Sequence, residues 1–301
     1  MGKRLLCSLA ASSSFVMAGC LGSSDSPSAP ASRNQTQISP NEVQQANDGV
    51  NLAATPTALC GPGARPESGL QGRVSQADFD SGRAAAGFAC NVELVGSYDT
   101  GAKLGYVGGY KVERYVDTKG QECAYYDTAL IAPLNILEQT SGVHVMDMSD
   151  PTKPRLAKKL LSPAMISPHE SLLVNTKRGV LAAVVGNPVV GPGIVDLYDI
   201  KDDCLNPKLK SSTPLGLLGH ESGMTADGNT FYVASPATTT IVALDISNLS
   251  QPKIVWSGFE SSHGLSLDPS GNRAYLAALS GPGGLVVLDR DALLLIVNAD
   301  H

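Results

Sequence analysis

The sequence predicts an all-β chain built from recurring units of short strands, and three observations carry that prediction. First, the apolar run Ile241-Val242-Ala243-Leu244-Asp245 is copied by Val143 to Asp147, Val195 to Asp199 and Leu285 to Asp289. Second, the acids that end these runs, Asp147, Asp199, Asp245 and Asp289, stand 52, 46 and 44 residues apart. An interval near that of a propeller blade, filled with several short strands, suits a β-propeller, and helical repeats of similar period lack the Asp227-Gly228 hairpin signal found here. Third, aromatics make up only 5% of the residues while glycine numbers 31, which favours short strands and tight turns over helices. The expected architecture is therefore a β-propeller of about four recognisable blades, following a disordered N-terminal tether.

In chain order, Met1-Gly2-Lys3-Arg4 is basic, and Leu5 to Ala18 is a modest apolar run broken by serines. That run is too short and too polar for a comfortable membrane span, so it predicts an export signal. It ends Val16-Met17-Ala18-Gly19-Cys20, which resembles the lipobox of bacterial lipoproteins, with Met17 where leucine is usual. The resemblance implies a signal peptide over 1–19, cleavage before Cys20 and lipidation of Cys20; an ordinary signal peptide with an incidental cysteine is the alternative. Leu21 stands where aspartate would imply retention at the inner membrane, so an outer-membrane lipoprotein facing the periplasm or the cell surface is expected.

Without Lys3 and Arg4, twenty basic residues face twenty-eight acidic ones, a formal charge near -8. An acidic chain with no Lys/Arg cluster excludes nucleic acid as a partner and leaves acyl chains as the means of attachment. Residues 20–59 are polar and rich in Ser, Pro, Asn, Gln and Ala. Such a stretch cannot bury a core and acts as a tether with a reach of roughly 35 Å.

With Cys7 in the signal and Cys20 at the anchor, Cys60, Cys90, Cys123 and Cys204 remain. Four cysteines in an exported chain suggest two disulfides, and of the three connectivities Cys60 with Cys90 and Cys123 with Cys204 is favoured. The first pair would close an irregular segment over 60–89; the second would tie the first blade to the loop at Lys201 to Cys204. No CxxC occurs, so neither a redox motif nor a zinc ribbon is expected.

Residues 90–301 are expected to hold the propeller. Its first unit is degenerate, with strands at Val92 to Gly96, Leu104 to Val107, Lys111 to Val116 and Cys123 to Tyr126. Later units are more regular. The second has strands at Ser171 to Asn175, Val180 to Val185 and Ile194 to Ile200; the third at Phe231 to Ala234 and Ile241 to Ser247. The fourth has Leu265 to Leu267, Arg273 to Leu279 and Gly284 to Leu288, with a turn at Pro269-Ser270-Gly271-Asn272. These strands are apolar on both faces, as stacked blades require.

The run Gly142-Val143-His144-Val145-Met146-Asp147-Met148-Ser149-Asp150-Pro151 resembles the LVIVD-repeat proteins of bacteria. So do Ile241 to Asp245 with Ser247 and Pro252, and Asp227 to Val233. The resemblance covers about residues 90 to 290 and implies an exported β-propeller, with little implied about chemistry. After Asp289 the pattern lapses into Arg290-Asp291-Ala292-Leu293-Leu294-Leu295-Ile296-Val297. About four units fit where roughly six to eight are usual. A truncated chain with an exposed, pairing-prone edge is the expectation.

Each of the last three units opens on a histidine: Pro168-His169-Glu170-Ser171, Gly219-His220-Glu221-Ser222 and Ser262-His263-Gly264-Leu265. In a propeller these places lie at the channel, so His169, His220 and His263 could converge as nitrogen donors for copper or zinc. This placement resembles that in the methanethiol oxidases of the selenium-binding protein family, which implies copper chemistry. Alternatively each histidine bonds a neighbouring blade's loop, with Glu170 and Glu221 as local partners. Strand alternation argues that His220 and Glu221 face different sites. His144, mid-strand in an apolar run, reads as a satisfied core residue; the four marker acids read as turn formers; Trp256 reads as a packed blade residue. No nucleophile elbow, P-loop or dinucleotide fingerprint appears.

Two functions follow. One is a lipid-anchored binding or scaffolding module that captures a protein or small-molecule ligand and catalyses nothing. The other is a copper- or zinc-dependent oxidoreductase or hydrolase that uses the channel histidines.

Overall fold

A computed structural model describes residues 59–68, 74–102, 108–128, 139–186, 192–279 and 284–289. The expected signal peptide, nearly all of the expected tether, the strand expected at Leu104 to Val107 and the residues after Asp289 lie outside the described residues. Two compact units divide the chain, Met1–Val92 and Glu93–His301. Among the described residues no helix is long and apolar enough to cross a membrane.

In the first unit a disulfide joins Cys60 to Cys90, and Arg65 and Ala89 exchange backbone hydrogen bonds. The segment is not wholly irregular. Helix α1 (Gln76–Asp80) forms because the Ser75 side chain accepts from the Asp78 N–H at its open end. The Asp78 carboxylate accepts from Ser68 and Arg83, and these donors hold it well below the usual carboxylate range.

The second unit consists of four antiparallel sheets, each paired in chain order. Blade 1 holds β1 (Val112–Val116), β2 (Glu122–Asp127), β3 (Val143–Asp147) and β4 (Arg155–Leu160). A short helix α2 (Pro163–Ile166) and a 3-10 turn (His169–Ser171) lead into blade 2, which comprises β5 (Leu173–Asn175), β6 (Val180–Val184), β7 (Val195–Asp199) and β8 (Lys208–Thr213). Blade 3 contains β9 (Glu221–Met224), β10 (Thr230–Ser235), β11 (Thr240–Asp245) and β12 (Lys253–Phe259). Blade 4 contains β13 (Ser262–Leu267), β14 (Arg273–Ala278) and β15 (Gly284–Asp289). The fold is all-β and propeller-like. The strand expected at Val92 to Gly96 does not form; that stretch runs over blade 1, where a Cβ on Gly96 would overlap the Pro151 carbonyl.

Blades 1 to 3 each carry an outer fourth strand, β4, β8 and β12, not expected from the sequence; β4 and β8 are largely exposed and lack an apolar run, whereas β12 carries Ile254, Val255 and Trp256. Pairing of the third strand with the fourth slips at Val145/Met146, Leu197/Tyr198 and Ala243/Leu244. The slip falls at the same place in each repeat, just before the marker acid. A repeated bulge twists the outer edge and makes it a poor template for another chain.

The marker acids turn the chain at the end of each third strand. Asp147, Asp199 and Asp245 accept from the backbone N–H two residues on, at 3.0, 3.1 and 2.9 Å. At the Asp227-Gly228 hairpin Gly228 has φ +70°, a conformation that glycine adopts without strain.

Three apolar clusters lie between successive blades. Tyr125 and Val145 pack on Leu181 and Tyr198; Val184 and Leu197 on Phe231 and Leu244; Tyr232 and Ala243 on Leu276, with Trp256 at the margin. Every position of β6 is buried, since it has a blade on each side. The face of blade 4 turned from blade 3 leaves Leu285 and Val287 exposed.

Polar ties set the blades in register. Arg178 of blade 2 donates to the carbonyls of Gly228, Ile246 and Ser247 in blade 3. The Asn175 amide donates to the Thr225 carbonyl at 3.1 Å. The second disulfide joins Cys123 on β2 to Cys204 in the β7–β8 connection, closing a separation of 81 residues. These ties bring the opening turns of blades 2, 3 and 4 together.

Candidate metal centre

His169 stands in the 3-10 turn before β5, His220 directly before β9, and His263 within β13. The structure brings all three together: the His169 and His220 rings are 4.5 Å apart between centroids, and those of His220 and His263 are 4.6 Å apart. His169 has φ +53°, a left-handed conformation that histidine tolerates better than most residues but that costs on the order of 1 kcal/mol. Two glycines make the room. A Cβ on Gly186 would overlap His169, and one on Gly264 would overlap the Glu221 carboxylate.

Hydrogen bonding fixes the chemistry of His220. Its Nδ1 lies 2.9 Å from the Gly186 carbonyl, which can only accept, so Nδ1 carries the proton and Nε2 presents a lone pair. That Nε2 is 3.1 Å from His263 Nε2 and 3.5 Å from Glu170 Oε2. Ligand atoms about 2.0–2.1 Å from a tetrahedral zinc ion lie about 3.3 Å from one another. The 3.5 Å between His220 Nε2 and Glu170 Oε2 is close to that spacing. Glu170 Oε2 is buried and makes no hydrogen bond among the described residues, a costly arrangement for a carboxylate oxygen that no cation meets. Burial lowers the pKa of His169, reinforced by the nearby His220 and opposed by Glu170, which favours the neutral, ligating imidazole. Tyr110 packs edge-on against His169 at 4.2 Å.

The donors fall into two sets. Ligand atoms of His169, Glu170 and His220 lie within 4.8 Å of one another, and so do those of Glu170, Glu221 and His263. His220 and Glu221, which strand alternation assigned to different sites, fall in different sets. His220 precedes the strand rather than lying in it, and Glu221 reaches forward to His263 Nδ1 at 3.5 Å. His220 also bonds a neighbouring blade's loop, at Gly186, so that contact orients a ligand instead of replacing one.

Beside the cluster a cleft of about 540 Å³ runs along the inner strands, lined by Lys111, Asn175, Glu221, Met224 and Leu265. His144 stands apart from the cluster, fully buried on β3 with its Nδ1 3.3 Å from the Tyr98 hydroxyl. Burial, aided by Lys159, pulls its pKa down to about 4. Asp196, a residue for which the sequence suggested no role, is also buried; it accepts from the Ala164 N–H at 2.8 Å and from the Ser162 hydroxyl, fixing α2 ahead of His169. The signal was available: His144 and Asp196 occupy the same place, three residues before the marker acid, where Val242 and Val286 stand in the other copies.

Antiparallel meanders repeated in chain order with a core between successive blades define the class, a β-propeller. Within it, residues 219–257 match the LVIVD repeat. Those residues span blade 3 from its opening glycine into β12. No curated protein matches the chain. Similar solved structures include a protein from Desulfotomaculum acetoxidans, with TM-score 0.44 and 13% identity over 63% of this chain and 56% of that one. A periplasmic gluconolactonase from Pseudomonas aeruginosa gives 0.41 and 13% over 50% and 46%. The Swd1 β-propeller domain of Myceliophteria thermophila gives 0.40 and 10% over 60% and 53%. The chain thus spans less than two thirds of the length of each of them.

Proposed function

We propose that this chain is an exported, lipid-anchored β-propeller that works as a binding module, and that its axial site binds a transition metal ion, zinc or copper. One observation carries the reading. His220 Nε2, its lone pair set by the Gly186 carbonyl, stands 3.5 Å from a buried Glu170 oxygen that has no hydrogen bond, with His169 in the same set. Two imidazoles and a carboxylate are a donor set for zinc or copper, and the Gly186 contact supplies the outer partner that such histidines need. Anchoring at Cys20 is supported by the lipobox-like run, and the polar stretch behind it would hold the propeller off the membrane.

Catalytic use of the ion is the second reading, favoured by the cleft beside Glu221 and by the half-exposed His263 side chain, which leave an approach for substrate. The experiment is metal content by mass spectrometry on the purified protein, before and after loading with zinc and copper. Retention of a metal ion, lost in His220→Ala, is the expected result; protein that stays metal-free after loading overturns the proposal. Oxidase and hydrolase assays on the loaded protein then separate the two readings.

A further inference from the structure

We infer that the axial site holds two metal ions that share Glu170 as a common ligand. The inference rests on the metal-binding reading above and deepens it.

The argument is a count of donors and acceptors. Because His220 Nδ1 donates to Gly186, its Nε2 is an acceptor, and His263 Nε2, at 3.1 Å, must be the donor in that contact. A neutral His263 then carries its lone pair on Nδ1. That atom faces Glu170 Oε2 and Glu221 Oε2, each at 3.5 Å. With that tautomer three acceptors meet with no donor between them, a second place that a metal ion fills or, failing that, a proton on His263 Nδ1. It is not the first one. The first set takes nitrogen atoms of His169 and His220, the second a nitrogen of His263 and the Glu221 carboxylate, and Glu170 alone belongs to both. A carboxylate spanning two ions about 3.5–4 Å apart is the usual way such a pair is held.

The repeat explains how this arises. In blades 2 and 3 the histidine is followed by glutamate, whereas in blade 4 it is followed by Gly264. A side chain at 264 would occupy the space that the Glu221 carboxylate fills. The third copy therefore lacks its own acid and receives the one from the blade before it. Filling the first set withdraws the His220 lone pair from His263, whose side chain is 43% exposed and has room to turn onto the second ion.

The test is a titration of the full metal-stripped chain with zinc, followed by equilibrium dialysis and mass spectrometry, repeated with Glu221→Gln, Gly264→Ala and Glu170→Gln. Two equivalents are expected for the unaltered chain, one for Glu221→Gln and Gly264→Ala, and loss of both tight sites for Glu170→Gln. Circular dichroism on each variant separates lost binding from lost folding. One equivalent for the unaltered chain, unchanged by Glu221→Gln, overturns the second ion while leaving the first reading intact, and means that a proton on His263 fills the second place. No bound zinc overturns both.

Discussion

His144 and the three axial histidines put one side chain to two uses. His144 lies inside blade 1, enclosed by packed strands with Tyr98 against its ring, and no ion pair among the described residues includes it. Burial and the nearby Lys159 penalise charge by more than a backbone contact at Thr140 offsets, so its pKa falls to about 4. His169, His220 and His263 instead sit where blades meet, with two carboxylates, and one buried carboxylate oxygen goes without a hydrogen bond. Burial alone makes a structural histidine, whereas convergence of acceptors without donors makes a site.

That contrast can be broken most forcefully at Glu170. Removing an outer partner of a metal ligand costs about 10–100-fold in affinity, so Glu170→Gln, which alters a direct ligand shared by both sets, should lower zinc affinity by more than about 100-fold. Thermal stability of the metal-free protein should change little, because Glu170 Oε2 makes no hydrogen bond among the described residues that the substitution would break. Isothermal titration beside thermal melts checks both.

His144 should respond in the opposite way. Its folded pKa lies below the ordinary value of 6.5, so the unfolded chain takes up the proton first as pH falls. The neutral ring's contribution is complete above about pH 6.5 and is lost as pH drops towards about 4, a change on the order of 3 kcal/mol. Denaturant melts across that range should show the decline, and His144→Phe should flatten it while leaving metal binding untouched.

Gly264→Ala sharpens the comparison, since it alters no ligand. Displacing Glu221 should weaken the His263 side of the cluster by about 100-fold or more, leaving one tight equivalent, and spare the His169 side. Arg178→Ala loosens the tie between blades 2 and 3 by leaving carbonyls short of a donor, with a loss of about 1–2 kcal/mol read from urea midpoints.

The legible part of the fold was whatever repeats. Marker acids, hairpin glycines and apolar third strands recur at fixed intervals, so the blades could be placed from sequence. The outer strands β4 and β8 were illegible because an exposed edge strand needs no apolar alternation, and the bulges that twist them leave no residue signature. Recurrence also placed His169, His220 and His263 at the site. It did not place Glu170 and Glu221, since a period-of-two argument applies within a strand and these residues act at its threshold, one in a 3-10 turn and one at the first position of β9. Gly186 and Gly264 act by having no side chain, which no search for ligands finds.

The central claim is that the axial donors close on a metal ion. Anomalous X-ray scattering at the zinc or copper edge, from crystals of the loaded protein, tests it most directly. The account predicts an anomalous peak about 2.0–2.1 Å from His220 Nε2 and in contact with a Glu170 oxygen. Crystals in which His220 and Glu170 are ordered and no peak lies beside them, or in which the only peak sits on an exposed side chain elsewhere, would contradict it.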